Sequence, residues 1–212
     1  MKYILLILLL FNLSSAAQPL PAKTYLPAPF LCQAPQGNWS QPWQDACEEA
    51  TLWMAMKYVG VVQRDSSTGG QEILKLVAFQ KKAQGGHFDL SAKQTAQLIK
   101  DYYHYNSVSV RYDVSIADIK QELVKGNLVV APMAGQLLNN PSFTPPGPVY
   151  HMVLVKGYDD RTGEYITNDP GTKRGRNFRY NYDVFYKALH DWPGDKKLML
   201  QGRKAIVVVK CP

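Results

Sequence analysis

The stretch ATLWMAM, residues 50–56, is apolar on nearly every side of the helix it belongs to, which the pattern carries from Asp45 to Tyr58. A helix greasy all round has no face for water and belongs in the middle of a core. The rest of the chain must therefore wall it in. QEILKLVAFQKKAQ (71–84) supplies an amphipathic helix ended by Gly85 and Gly86, and Ser91 caps a third, SAKQTAQLIKDYYHY. The character then changes. SVSVRYD alternates like a strand, SIADIKQELVKG is a short helix between Ser115 and Gly126, and NLVVAPM reads as a buried strand. YHMVLVKGYD and GEYITNDP form two strands around the turn 159–163, YNYDVFYKALHDW is helical, and KAIVVVK is a final strand. Helices first and mostly antiparallel strands after is the order of an α+β domain. No internal repeat and no second domain is evident.

The chain opens with MKYILLILLLFNLSSAAQ: one cation at Lys2, an apolar run, then small residues to Ala17. This predicts a secretory signal peptide over 1–17, too short to span a bilayer comfortably. Residues 18–35 hold five prolines and little periodicity, which predicts an extended arm laid over a domain of residues 36–212. No later segment is long and apolar enough for a membrane span, so a soluble protein, periplasmic or extracellular and acting as a monomer, is expected. The net charge of +7 suits an anionic partner or simple solubility. Nucleic-acid binding has only the basic run KRGRNFR (173–179) in its favour, and export argues against it.

Three cysteines in an exported chain leave one thiol over. Pairing Cys32 with Cys211 would pin the chain ends together and leave Cys47 free. A free thiol in an oxidising compartment is either buried or put to use.

Cys47 lies in the first turn of the apolar helix, where the macrodipole favours a thiolate. Asp45 and Glu48 have the spacing of a capping box. Glu48 and Glu49 oppose a further anion, so a cationic imidazole would be needed nearby. His87, His104 and His190 read as surface or packing residues. His151 begins a strand on the face of Val153 and Val155, just after a flexible loop, and so is rigid yet reachable. In a hairpin the start of one strand lies beside the end of the next, which brings Asp169 or Asn168 to His151 as the group that orients a base. Gln41, six residues before Cys47, can offer its amide alongside the Cys47 N–H as an oxyanion hole. No Cys or His pairs occur at metal-ligand spacing, and no metal or other cofactor is expected.

QPWQDAC followed by a hydrophobic helix ending in YVG, then YHMVLVKGYD and YITNDPGT, resembles the C39-like cysteine peptidases from about Tyr25 to Val209. These are relatives of the domains that trim leader peptides in bacteriocin exporters. The resemblance implies a papain-like fold with the Cys47 helix packed on a mostly antiparallel sheet. It also implies Cys47 as nucleophile, His151 as base and acid, Asp169 as orienter and Gln41 as oxyanion donor. The exporter domains typically carry Asp before and Gly after the cysteine, whereas Ala46 and Glu48 stand here, which aligns this chain with the stand-alone branch.

The expected activity is thus hydrolysis of peptide, isopeptide or amide bonds through an acyl-enzyme, on a peptide or protein substrate, cell-wall peptides included. Trp43, Asn168, Arg174 and Arg176 are candidate substrate contacts, and GQLLNNPSFTPPGP is a candidate specificity loop. A peptidase fold retained as an inactive binding module is one rival. A cell-wall amidase or transglutaminase-like acyltransferase is another.

Overall fold

The computed structural model describes residues 19–63 and 68–212, so the leader expected over 1–17 lies outside the described residues. The apolar helix is α1, Cys47–Tyr58, and every residue from Cys47 to Met56 is buried. Ala46 and Ala50 pack on Ile73 and Val77 of α2, Gly69–Gln84. Leu52, Met54 and Met56 share a core with Leu98 and Ile99 of α3, Ala92–Tyr103. Behind α1 lies a sheet, and Thr51 Oγ1 donates to Met152 O at 3.3 Å. Capping follows the local chemistry: Thr68 caps α2, Gly85 ends it in the left-handed region, and Ser91 with Gln94 forms a capping box on α3.

Among the described residues seven strands pair, all antiparallel: β1 Lys23–Tyr25, β2 Val108–Tyr112, β3 Leu128–Ala134, β4 Tyr150–Asp159, β5 Glu164–Asn168, β6 Phe178–Asn181 and β7 Ala205–Val209. Their order is β2-β7-β3-β4-β5-β6, and β1 pairs with the end of β4. Helices α4, Ile116–Val124, and α5, Tyr182–Ala188, bring Ile119, Leu123, Phe185 and Ala188 onto the face opposite α1. With both faces covered, β3, β4 and β7 are buried at every position. That is why they read as continuous apolar runs and not as alternating ones. This is the α+β, papain-like arrangement of helices on an antiparallel sheet.

Several local expectations give way to tertiary structure. Trp43–Asp45 is a 3-10 turn, α1 starts at Cys47, and Ala46 at its N-cap makes no side-chain bond. Asp45 instead accepts the Gln41 amide, so the Asp45–Glu48 capping box is not formed. The arm is not merely laid over the domain, because β1 lengthens the sheet and Leu26 N donates to Lys156 O. Helix α5 stops at Ala188 because Leu189 bridges to Met133 and His190 N donates to Pro132 O.

The disulfide is corrected as well: all three cysteines are free, with Cys32 and Cys47 buried and Cys211 exposed. Gln33, next to Cys32, donates its N–H to Pro170 O just past β5, whereas Cys211 follows β7 and donates its N–H to Asn127 Oδ1. Those strands stand three places apart in the sheet. At about 4.8 Å per strand that is roughly 14 Å, twice the reach of a disulfide.

Candidate active site

A β-bulge sets the site. Strand β4 pairs Asp159 with Glu164 and Gly157 with Ile166, but then Val155 with Thr167 and Leu154 with Asn168. The extra residue, Lys156, shifts the pairing by one. Continued by one step, this register sets Asp169 opposite Val153, on the sheet face that also carries His151. Without the bulge it would fall opposite Leu154, on the wrong face. His151 Nε2 and Asp169 Oδ1 lie 2.7 Å apart. With Nε2 engaged, Nδ1 is the ring nitrogen left for other chemistry.

Asp169 is completely buried and takes three further donors. The Gly171 N–H reaches Oδ1 at 2.9 Å, the Asn140 amide reaches Oδ2 at 3.1 Å, and the Tyr180 hydroxyl donates to Oδ2. Burial pushes its carboxyl up, but the His151 charge and bond, Tyr180 and Gly171 outweigh it and hold it below the ordinary range. Gly171 lets the chain pass the imidazole edge, since a Cβ there would lie 2.8 Å from His151 Cε1. Phe143 meets the ring edge-on at 5.3 Å.

Cys47 stands at the first position of α1, 5% exposed. Its thiol donates to Glu48 Oε2 at 3.0 Å, and Glu48 Oε1 accepts the Leu90 N–H at 2.9 Å. Burial first, then the Glu48 charge and hydrogen bond, then Asp89 and Glu49, push the thiol well above its ordinary range. Burial, Glu49 and Asp89 push the Glu48 carboxyl up in turn. His87 bonds Glu49 Oε1 at 3.1 Å; burial lowers its pKa, but Glu49 more than offsets this and raises it. Burial and the acidic surroundings thus oppose the helix N-terminus and favour the protonated thiol over the thiolate.

Cys47 and His151 line one cleft of about 940 Å³. The loop after β3 forms one wall with Pro141, Ser142, Phe143, Thr144, Gly147 and Pro148, and the turn after β5 adds Gly171 to Arg174. Asp45, Asp89, Trp39, Gln44 and Gln33 come from the Cys47 side. Of the residues singled out from sequence, Arg174 lines this cleft. Gln41 is exposed and outside the lining, its Nε2 donating to Asp45 Oδ2 at 2.6 Å. Trp43 packs beside the Ala46–Ala50 cluster, and Arg176 stacks on Phe30 at 5.7 Å. Asn168 ties the arm down, donating to Ala28 O and Pro29 O and accepting from Asn177 N. Asn140 and Phe143 fall within GQLLNNPSFTPPGP, the candidate specificity loop, whereas Gln33, Asp89 and Tyr180 carry no mark in the sequence. Their roles come from long-range packing that no local pattern marks.

Among the described residues no group of three or more His, Cys, Asp or Glu could hold a metal ion, and no helix is long and apolar enough to cross a membrane. The Peptidase_C39 like family model matches residues 25–199. A crystal structure of a Bacillus anthracis protein proposed to be a C39-like peptidase superposes with a TM-score of 0.59 at 19% identity, covering 89% of this chain and 98% of that one. Xylellain, a cysteine protease from Xylella fastidiosa, gives a TM-score of 0.49 at 16% identity over 92% of this chain and 87% of its own. A search of the curated proteins gives no match.

Proposed function

Because the chain belongs to the Peptidase_C39 like family of cysteine peptidases, we propose that it is an exported thiol hydrolase that cleaves peptide bonds with Cys47, His151 and Asp169. The observation that carries this reading is that Cys47 and His151 line one cleft, with Asp169 bonded to His151 from the buried side. Asp169 fixes the tautomer, holding the proton on Nε2 and leaving Nδ1 as base. Since the thiol starts protonated, His151 removes its proton as the sulfur attacks the substrate carbonyl, and the thiol leaves Glu48 in the same step. The oxyanion forms beside the α1 N-terminus, whose first N–H groups have no partner within the helix. Gln41 is exposed and outside the cleft lining, so it joins as a donor only by swinging in toward Cys47. His151 then protonates the leaving amine and activates the water that hydrolyses the thioester.

One observation favours a second reading, a module that binds peptides without turning them over: the Cys47 hydrogen bond goes to Glu48, and its acidic neighbours suppress the thiolate. Incubation of wild type and Cys47→Ala with a peptide library and with purified peptidoglycan separates the readings. Hydrolysis by wild type alone supports the peptidase and names its substrate class. Peptide binding without cleavage by either protein sinks it.

A further inference from the structure

Lys173 and Arg174, from the basic run 173–179, stand in the turn after β5 and line the cleft with Cys47 and His151. Both are exposed, and among the described residues neither has an ion pair or a side-chain hydrogen bond. By contrast Lys196, which also lines the cleft, is paired with Asp89 at 3.8 Å, and Arg179 of the same run is paired with Glu164 at 3.1 Å. The turn is held at its base. Asp169 N donates to Gly175 O at 3.0 Å, Gly175 N to Thr172 O at 3.2 Å, and Arg174 N to the Oγ1 of buried Thr172 at 3.1 Å. Lys173 reaches back to the turn that ends the arm. A Cβ on Gly37 would meet its Nζ at 2.7 Å, so the ammonium sits against the bare backbone of that glycine. Adjacent like charges repel, and an anion between them would be stabilised by both. Asp45 and Asp89, on the Cys47 side, repel an anion bound elsewhere in the cleft.

We infer that Lys173 and Arg174 form a carboxylate subsite, and that the cleft takes peptides with an acidic side chain or a free C-terminus two or three residues beyond the scissile bond, on the side that leaves as the amine. The inference rests on the cleft being a peptide site. His151 Nδ1 protonates the leaving amine, and Gly171 borders the adjoining Cε1, so the leaving side of the peptide runs along this turn. Lys173 and Arg174 follow Gly171 by at most about 7 and 11 Å of chain, which an extended peptide covers in two or three residues. The Arg174 guanidinium can hold a carboxylate through two parallel N–H···O bonds, and Lys173 adds a point charge beside it.

The test uses a library of acetyl-hexapeptides, made with C-terminal acids and with C-terminal amides, and the member bound most tightly by Cys47→Ala protein. That peptide is remade with each acidic residue changed to its amide and, separately, with its C-terminal acid changed to an amide. Affinities are measured by calorimetry for Cys47→Ala alone and for Cys47→Ala carrying Lys173→Gln and Arg174→Gln. The expected result is one carboxylate whose loss weakens binding about fivefold, less at high salt, and has no effect once both cations are gone. Which change produces the loss tells a side chain from a C-terminus. Lys82→Gln with Lys93→Gln removes two exposed charges outside the cleft and should leave the preference intact. A tightest binder without a carboxylate overturns the inference. So does a preference that the Lys82 and Lys93 changes abolish as well, since that is the long-range field of a basic protein. Where wild type cuts the peptide, mass spectrometry should find the carboxylate on the amine fragment, and finding it on the acyl fragment overturns the placement. Hydrolysis without any carboxylate preference sinks the subsite and leaves the peptidase reading standing. Binding by Cys47→Ala needs no turnover, so the preference without hydrolysis keeps the subsite and sinks the peptidase reading.

Discussion

Glu48 follows Cys47 in the chain and takes its thiol hydrogen bond, so each group sets the charge state of the other. A sequence reading gives the helix start as an acidifying influence on Cys47, with the two glutamates as opponents. In the fold the opposition wins: burial itself pushes the thiol up most, and Glu48, Asp89 and Glu49 add to it. Replacing Glu48 by Gln keeps an acceptor for Leu90 N–H and removes a carboxylate. Iodoacetamide labelling should then show its pH midpoint well above that of an ordinary thiol in wild type and at lower pH in Glu48→Gln. A midpoint unmoved by the substitution would refute the account. Stability gives a second reading of the same residue. The folded pKa of Glu48 lies above its unfolded value, so its contribution is whole below about pH 4.3 and is lost as pH rises through the folded pKa. Glu48→Gln should therefore raise Tm relative to wild type, by about 2–4 °C if the gain is about 1 kcal/mol. The gain should be larger at pH 8 than at pH 4.

At the scale of elements, the loop from Asp169 to Asn177 is built around a close crossing. A Cβ on Gly175 would lie 1.8 Å from Asp169 O, and Asp169 N donates to Gly175 O at 3.0 Å. Gly175→Ala must push residue 175 and the Asp169 backbone apart, which is expected to disturb the Asp169–His151 contact although residue 175 lies outside the cleft lining. Hydrolysis should fall about 100-fold, as for other displacements of about 1 Å in a reacting geometry, with KM little changed. Steady-state kinetics with wild-type kcat would contradict this. The same region shows what a sequence can and cannot disclose. The apolar helix and the β4–β5 hairpin are local patterns, and they suffice to suggest Cys47 beside a histidine and a carboxylate. The bulge at Lys156 is not local. It depends on β1 and β5 flanking β4, and only the bulge puts Asp169 on the correct face. Strands β1 and β6 are too short and too exposed to announce themselves. Gln33 gives no periodic signal, because its partners lie ten, eleven and 137 residues away.

Across the whole molecule, hydrogen bonds and burial hold the arm and the chain end, without a disulfide. Cysteine counting suggested a Cys32–Cys211 staple because number and compartment are visible in sequence, while the three-strand separation of the two ends is not. Titration in denaturant without reductant should find three thiols, and reductant should leave Tm unchanged. A staple would have given a loss of roughly 4–5 kcal/mol on reduction. What closes the arm onto the sheet is a pair of buried polar side chains. Lys156 Nζ donates to Ala28 O and Tyr25 Oη, and Asn168 Nδ2 donates to Ala28 O and Pro29 O while its Oδ1 accepts from Asn177 N. Asn168 and Asp169 are neighbours in sequence and on opposite faces of the sheet, so their substitutions should separate architecture from chemistry. Asn168→Ala strands the Pro29 carbonyl and the Asn177 N–H, leaves Ala28 O to Lys156 alone, and should cost about 3 kcal/mol, with hydrogen exchange rising across residues 21–30 and kcat per folded molecule within a few-fold of wild type. Asp169→Ala should leave the arm protected and lower kcat by orders of magnitude, because His151 loses the group that fixes its tautomer. Asn168→Ala with normal Tm and depressed kcat would mean that the arm is held elsewhere and that Asn168, not Asp169, serves the imidazole.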